Sequence, residues 1–201
     1  MTNENSTTVR EAIKQIQEGK IGVYPTETAY GVAADALDEE AVKKVYKAKQ
    51  RPRSKPLTTI VNNAEQVRRH AELTEEEGRL IEEIMPGALT LVVEKKDHVP
   101  DELNESFVFR IPGAEAARKL AEEGPITATS ANISGGETSY VVENISDELL
   151  DKMDFVIDRG ELKEGLTSTI AEVNNGEVVI HRRGPVSKQS LEEVLHNGDR
   201  N

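Results

Sequence analysis

The sequence predicts an α/β domain built on a twisted, mixed sheet with helices on its faces. Three observations predict it. Apolar runs of strand length alternate with stretches whose apolar residues recur at helical spacing. Asn174-Asn175-Gly176 is a hairpin signal between two such runs, which requires an antiparallel pair. The 201 residues suit one domain, large enough to bury a core without disulfides or metals.

In order along the chain, residues 21–24 read as a buried strand that stops at Pro25, and residues 30–34 resume an extended pattern. Asp38 caps a helix whose first turn carries Glu39 and Glu40 and whose apolar face is Ala41, Val45 and Ala48. Pro52 stops that helix, and residues 57–61 form a strand rich in β-branched side chains. Helices follow at 64–70 and 74–84, the second opened by a Thr74/Glu77 capping box and closed by Pro86-Gly87. Strands are expected at 89–94 and 107–111, a helix at 114–123, and a buried strand at 126–130. Strands at 155–158, 168–173 and 178–182 come next, and a Ser190/Glu193 capping box starts a final helix to about Leu195. The organised domain is expected over residues 8–195, with 1–7 and 196–201 as flexible ends.

Composition narrows the function classes. Thirty-seven acidic residues against 25 basic ones give a formal charge of −12, which opposes indiscriminate binding to nucleic acid or anionic lipid. There is no cysteine, hence no thiolate nucleophile, disulfide or cysteine-ligated metal. No segment has signal-peptide or membrane-spanning character, so the expected location is the cytoplasm. Against the acidic background, residues 43–55 read KKVYKAKQRPRSK, with seven cations and no anion.

The common catalytic signatures are missing. Residues 160–165 have the glycine spacing of a P-loop but are followed by Leu166-Thr167, so its phosphate-gripping lysine is absent. There is neither a GxGxxG fingerprint nor a GxSxG elbow. The histidines at 70, 98, 181 and 196 lack metal-ligand spacing and read as surface or strand-end residues. What remains is a set of polar segments at strand ends: Thr26-Glu27-Thr28, Lys49-Gln50-Arg51, Arg110, Thr127 to Asn132, Thr167-Ser168-Thr169, and His181-Arg182-Arg183-Gly184. Lysine and arginine with hydroxyls and loop amides are the chemistry of anion binding, and strand ends are where α/β proteins bind ligands.

Taken together, PTETAYG (25–31), KQRPRSKPL (49–57), MPGALTLV (85–92), FRIP (109–112), TSANISG (129–135), LTSTI (166–170) and RRG (182–184) resemble, in that order, the YrdC-like family of threonylcarbamoyl-AMP synthases. The resemblance is to the short, single-domain form. It implies a YrdC-like twisted sheet with flanking helices and a large concave, positively charged cleft. It also implies a nucleotidyl transfer: L-threonine, bicarbonate and ATP, with Mg2+, give threonylcarbamoyl-AMP and pyrophosphate. On the matching positions, Lys49 and Arg51 would be the catalytic pair and hold the triphosphate, with Arg53 close by. Ser106, Ser130, Asn132 and Arg183 would complete the ATP site. Thr26, Tyr30, Thr58, Arg110 and Ser168 would form the threonine site, Arg110 facing the carboxylate; the resemblance names no metal ligand, although Glu27 is a carboxylate close by. The implied partner is the machinery that places threonylcarbamoyladenosine at position 37 of tRNA. Many relatives continue Arg-Ile-Pro with Asp-His where this chain has Gly113-Ala114, so any role of that histidine is missing here.

Two other readings stand beside this one. The same basic concavity could bind tRNA or double-stranded RNA, against which the acidic total and 3% aromatic content argue. A paralogue could keep the fold and act on another nucleotide or carbamoyl substrate.

Overall fold

The computed structural model describes residues 7–197. Its strands are β1 (Gly22–Pro25), β2 (Tyr30–Ala33), β3 (Thr58–Ile60), β4 (Ala71–Glu72), β5 (Leu89–Lys95), β6 (Phe107–Arg110), β7 (Ile126–Ser130), β8 (Phe155–Val156), β9 (Thr169–Asn174) and β10 (Glu177–Arg182). They form one sheet in the order β10-β9-β5-β6-β3-β7-β2-β1-β8, with β4 pairing β5 off that path. The pairs β1/β8, β3/β6 and β5/β9 are parallel, while β1/β2, β2/β7, β3/β7, β5/β6 and β9/β10 are antiparallel, so the sheet is mixed as expected.

Strand alternation gives the sheet two apolar faces. Val23 and Val32 enter one core with α2 (Glu39–Ala48), α4 (Glu75–Ile84), α6 (Asp147–Leu150) and α7 (Lys188–Asn197). Tyr24 and Ala33 enter the other, under α1 (Val9–Gln17) and α5 (Glu115–Leu120). The remaining helix, α3 (Ala64–His70), ends on β4.

Local chemistry explains the ends of several elements. Asp38 accepts from the amides of Glu40 and Ala41, and the Thr74/Glu77 capping box is formed in full. Asn175 and Gly176 have φ of 50° and 79°, the paired left-handed residues of a tight hairpin turn.

Other expectations are corrected. Helix α1 was not anticipated, although Thr8 and Glu11 make a capping box for it. Helix α7 begins at Lys188, before Ser190; the amide of Ser190 donates to Ser187 Oγ at 3.1 Å, so the serine that caps is Ser187. Helix α5 stops at Leu120, short of 123. His70 is buried, not a surface residue, and its Nδ1 lies 2.9 Å from His98 Nε2; burial and the neighbouring cationic groups push its pKa down to about 4. Of the ends expected to be flexible, Thr7 donates its amide to Val156 and α7 continues to Asn197; positions 1–6 and 198–201 lie outside the described residues.

Candidate active site

Stretches far apart in sequence meet around one open cavity of about 370 Å3. The β1–β2 turn contributes Thr26, Glu27 and Thr28 with Tyr30 behind them, β3 its first residue Thr58, and β6 its last residue Arg110. Strand β7 contributes Thr129 and Ser130, the approach to β9 Thr167 and Ser168, and the end of β10 Arg182.

The β1–β2 turn closes on itself. Thr26 Oγ1 donates to the Ala29 carbonyl at 2.7 Å and accepts from the amides of Thr28 and Ala29 at 3.1 and 3.2 Å. The short polar side chain thus replaces backbone partners that the turn leaves open. Arg110 is fixed by Nε on the Gly87 carbonyl at 2.9 Å and ion-paired through Nη2 to Glu27 Oε1. Tyr30 is fully buried, and its hydroxyl donates to Gly160 O at 2.8 Å and accepts from the Arg159 amide at 2.9 Å, tying the segment before β9 to the cavity wall.

Arg182 reaches the cavity from a β-bulge in β10 and grips Ser168, with Nε on its carbonyl at 3.0 Å and Nη2 on its hydroxyl at 3.1 Å. That hydroxyl lies 2.7 Å from Thr90 Oγ1, and both are buried. Burial, and then the charge of Arg110, push the Arg182 pKa below its ordinary value. Two guanidinium groups that repel each other beside two hydroxyls form a site that an anion would stabilise.

The K-x-R and S-x-N segments meet at the other side. Lys49, the C-cap of α2, is 1% exposed, and its Nζ donates to the carbonyls of Ser130 and Asn132, the latter at 2.6 Å, and to Asn132 Oδ1 at 3.4 Å. Among the described residues no carboxylate pairs with it. Burial first, and the nearby Arg51 second, push its pKa down to about 7. Arg51 lines the cavity and is held by the carbonyls of Lys55 and Pro56 at 3.1 and 2.8 Å. Asn132 lines an adjoining hollow that shares Thr138 with the main cavity.

Thus Arg51, Ser130, Thr26, Tyr30, Thr58, Arg110 and Ser168 line one cavity, while Lys49 does not line it and lies buried behind Ser130. Arg53, Ser106 and Arg183 do not line it: Arg53 lies 4.3 Å over the Tyr46 ring and donates to Glu102 O at 3.1 Å, and Arg183 is exposed. The cavity is also lined by Thr90, Thr138 and Tyr140, which the sequence reading does not name, and by Arg182 where that reading assigns a role to Arg183. Thr90 had a signal, as a polar residue inside the apolar run of β5. Arg182 and Arg183 could not be told apart, because a bulge resets which residue faces which way.

The family profile Sua5_yciO_yrdC, described as Telomere recombination, matches residues 14–184. A Methanocaldococcus jannaschii protein provisionally named a threonylcarbamoyl-AMP synthase is 37% identical over 179 residues, 89% of this chain and 86% of its own length. The Pyrococcus abyssi threonylcarbamoyl-AMP synthase is 37% identical over 193 residues, 93% of this chain and 57% of that protein. The crystal structure of P. abyssi Sua5 complexed with L-threonine matches with a TM-score of 0.85 and 38% identity, over 92% of this chain and 56% of that one. The chain therefore spans just over half the length of the Pyrococcus protein.

Proposed function

Given that this chain belongs to the Sua5/YciO/YrdC family, we propose that it is a threonylcarbamoyl-AMP synthase, forming its product and pyrophosphate from L-threonine, bicarbonate and ATP. The observation that carries the reading is the union of two anion sites at one cavity. Arg51 and Ser130, with Lys49 buried against the Ser130 carbonyl, stand on one side, and Arg110, Arg182, Ser168 and Thr90 on the other.

Carbamate formation on threonine gives a carboxylate that must attack the α-phosphorus of ATP while pyrophosphate departs. Both reactants are anions, so fixed cations offset their repulsion and stabilise the charge growing on the leaving group. Arg110 and Arg182 would hold the amino-acid carboxylate, and Ser168 would fix its register. Lys49 would exchange the carbonyls of Ser130 and Asn132 for phosphate oxygens, recovering the counter-charge it lacks. Arg51 would take a second oxygen through its planar fork.

Magnesium, when bound, neutralises phosphate charge. Among the described residues no group of three His, Asp or Glu could hold a metal. With ATP bound, the ion would come in with the triphosphate, and Lys49, Arg51 and Ser130 would hold the phosphates around it. Asn132 and the adjoining hollow would take the rest of the nucleotide, and Arg53, Ser106 and Arg183 would act from the rim.

The product would pass to the machinery that builds threonylcarbamoyladenosine at position 37 of tRNA, in the cytoplasm. Among the described residues no helix is long and apolar enough to cross a membrane. The RNA-binding alternative is not favoured. Lys43 pairs with Glu40 and Glu102, Lys44 donates to Gly19 O, Lys49 is buried, and Arg53 covers Tyr46, which leaves little of the basic run for a phosphate backbone.

The test is product identity. The full chain, given ATP, magnesium, L-threonine and isotopically labelled bicarbonate, should yield labelled threonylcarbamoyl-AMP by mass spectrometry. ATP binding without label in any adenylate would overturn the proposal.

A further inference from the structure

Two polar atoms of the cavity-lining residues have no hydrogen-bond partner although solvent does not reach them: Glu27 Oε2 and Tyr24 Oη. Buried polar atoms in folded proteins are nearly always paired, so an unpaired pair beside a cavity points to a group that arrives with a ligand. Glu27 is also the sole carboxylate among the described lining residues, in a cavity that Arg51, Arg110 and Arg182 line with it. Its Oε1 is held by Arg110, which leaves Oε2 unused.

An arginine with a carboxylate bound to its edge presents a positive and a negative group side by side. An α-amino acid presents the same two charges in reverse, its carboxylate and ammonium separated by a single carbon. Resting on the synthase reading above, we propose that Glu27 is a specificity-determining residue that receives the α-ammonium of the amino acid on Oε2, while Arg110 and Arg182 receive its carboxylate. The turn geometry suits this role. Thr26 fixes the β1–β2 turn with three local hydrogen bonds, so the Glu27 backbone stays in place when its side chain changes partner. Tyr24 stands unpartnered on the same wall, its hydroxyl kept neutral because burial, and then the charge of Glu27, push its pKa up.

The competing role makes the opposite prediction. If Glu27 merely occupies Arg110 until a carboxylate displaces it, its removal would free the arginine and tighten binding of every carboxylate. If it recognises the ammonium, its removal weakens only ligands that carry one.

Calorimetric titration of the full chain with L-threonine and with 3-hydroxybutyrate, which lacks the α-ammonium, separates the two, with ATP affinity as the folding control. In Glu27→Gln, threonine affinity should fall at least about tenfold, the scale of one lost charge-assisted hydrogen bond, while 3-hydroxybutyrate binds as before or better. Glu27→Asp, which keeps the charge, should regain part of the preference for threonine and stands in should the glutamine variant fail to fold. Tighter or unchanged threonine binding in Glu27→Gln, or equal losses for both ligands, would overturn the role of Glu27 alone. Wild-type protein that binds ATP but neither carboxylate would overturn the synthase reading and this inference with it.

Discussion

The ammonium of Lys49 lies against Asn132, donating to its backbone carbonyl at 2.6 Å and its side-chain oxygen at 3.4 Å, and so joins the end of α2 to the loop after β7. The K-x-R and S-x-N segments are thereby one structural unit before any nucleotide arrives. The cost is a buried cation with no anion beside it.

That cost has a sign in pH. The Lys49 pKa is about 7 in the folded chain against 10.5 for the free group, so between those values the unfolded chain binds more protons. Stability from this group therefore rises as pH climbs from about 7 to about 10, and its burial penalty is fully present below 7. Lys49→Met should be at least as stable as the parent at pH 6 and should lose that rise, as read by denaturant melts at pH 6, 8 and 9.5. A variant clearly less stable at pH 6 would mean that the lost carbonyl contacts outweigh the relief of burial.

Nucleotide binding should take up a proton at the same residue. Phosphate supplies the missing counter-charge and raises the Lys49 pKa, so ATP affinity should fall above pH 7 by up to about tenfold per unit. Titrations in buffers of different ionisation enthalpy would show the uptake, and Lys49→Met would abolish it along with turnover.

The neighbouring arginines of the RRG segment should separate. Arg182 lines the cavity and grips Ser168 while Arg183 does not line it, so Arg182→Ala should raise the KM for threonine by about tenfold or more, the scale of one charge-assisted contact. Arg183→Ala should act on ATP and leave the threonine KM near its parent value. Steady-state kinetics with each substrate varied decides this.

Gly184 explains the last letter of that segment. A Cβ there would lie 2.3 Å from the Thr169 amide nitrogen and 2.5 Å from the Thr167 carbonyl oxygen, both backbone atoms that no rotamer change can move aside. Gly184→Ala should cost roughly 1–3 kcal/mol, the range of overpacking, and should displace Ser168, so that threonine turnover falls in whatever fraction folds. Unchanged melting would show that β9 and β10 can part without loss.

Much of this was legible in sequence. The helix over residues 64–70, the strand over 126–130, the cap at Asp38, the box at Thr74/Glu77 and the Asn175-Gly176 turn all rest on interactions within a few residues, and each is where local chemistry puts it. The polar strand ends also pointed to one cavity. What stayed hidden depends on how distant segments approach. Lys49 reads as a surface cation until the loop after β7 closes over it, His70 as an exposed helix end until His98 and Phe107 pack on it, and Arg182 as the twin of Arg183 until a bulge turns one inward. The pairing of Glu27 with Arg110, 83 residues apart, had no local signature at all.

The central claim is that the two anion sites act together on threonine, bicarbonate and ATP, and pyrophosphate release by the purified chain tests it most directly. With magnesium and ATP present, release should require L-threonine and bicarbonate together and should drop sharply with serine in place of threonine. Release that ignores threonine, or none under any combination while ATP still binds, would contradict it.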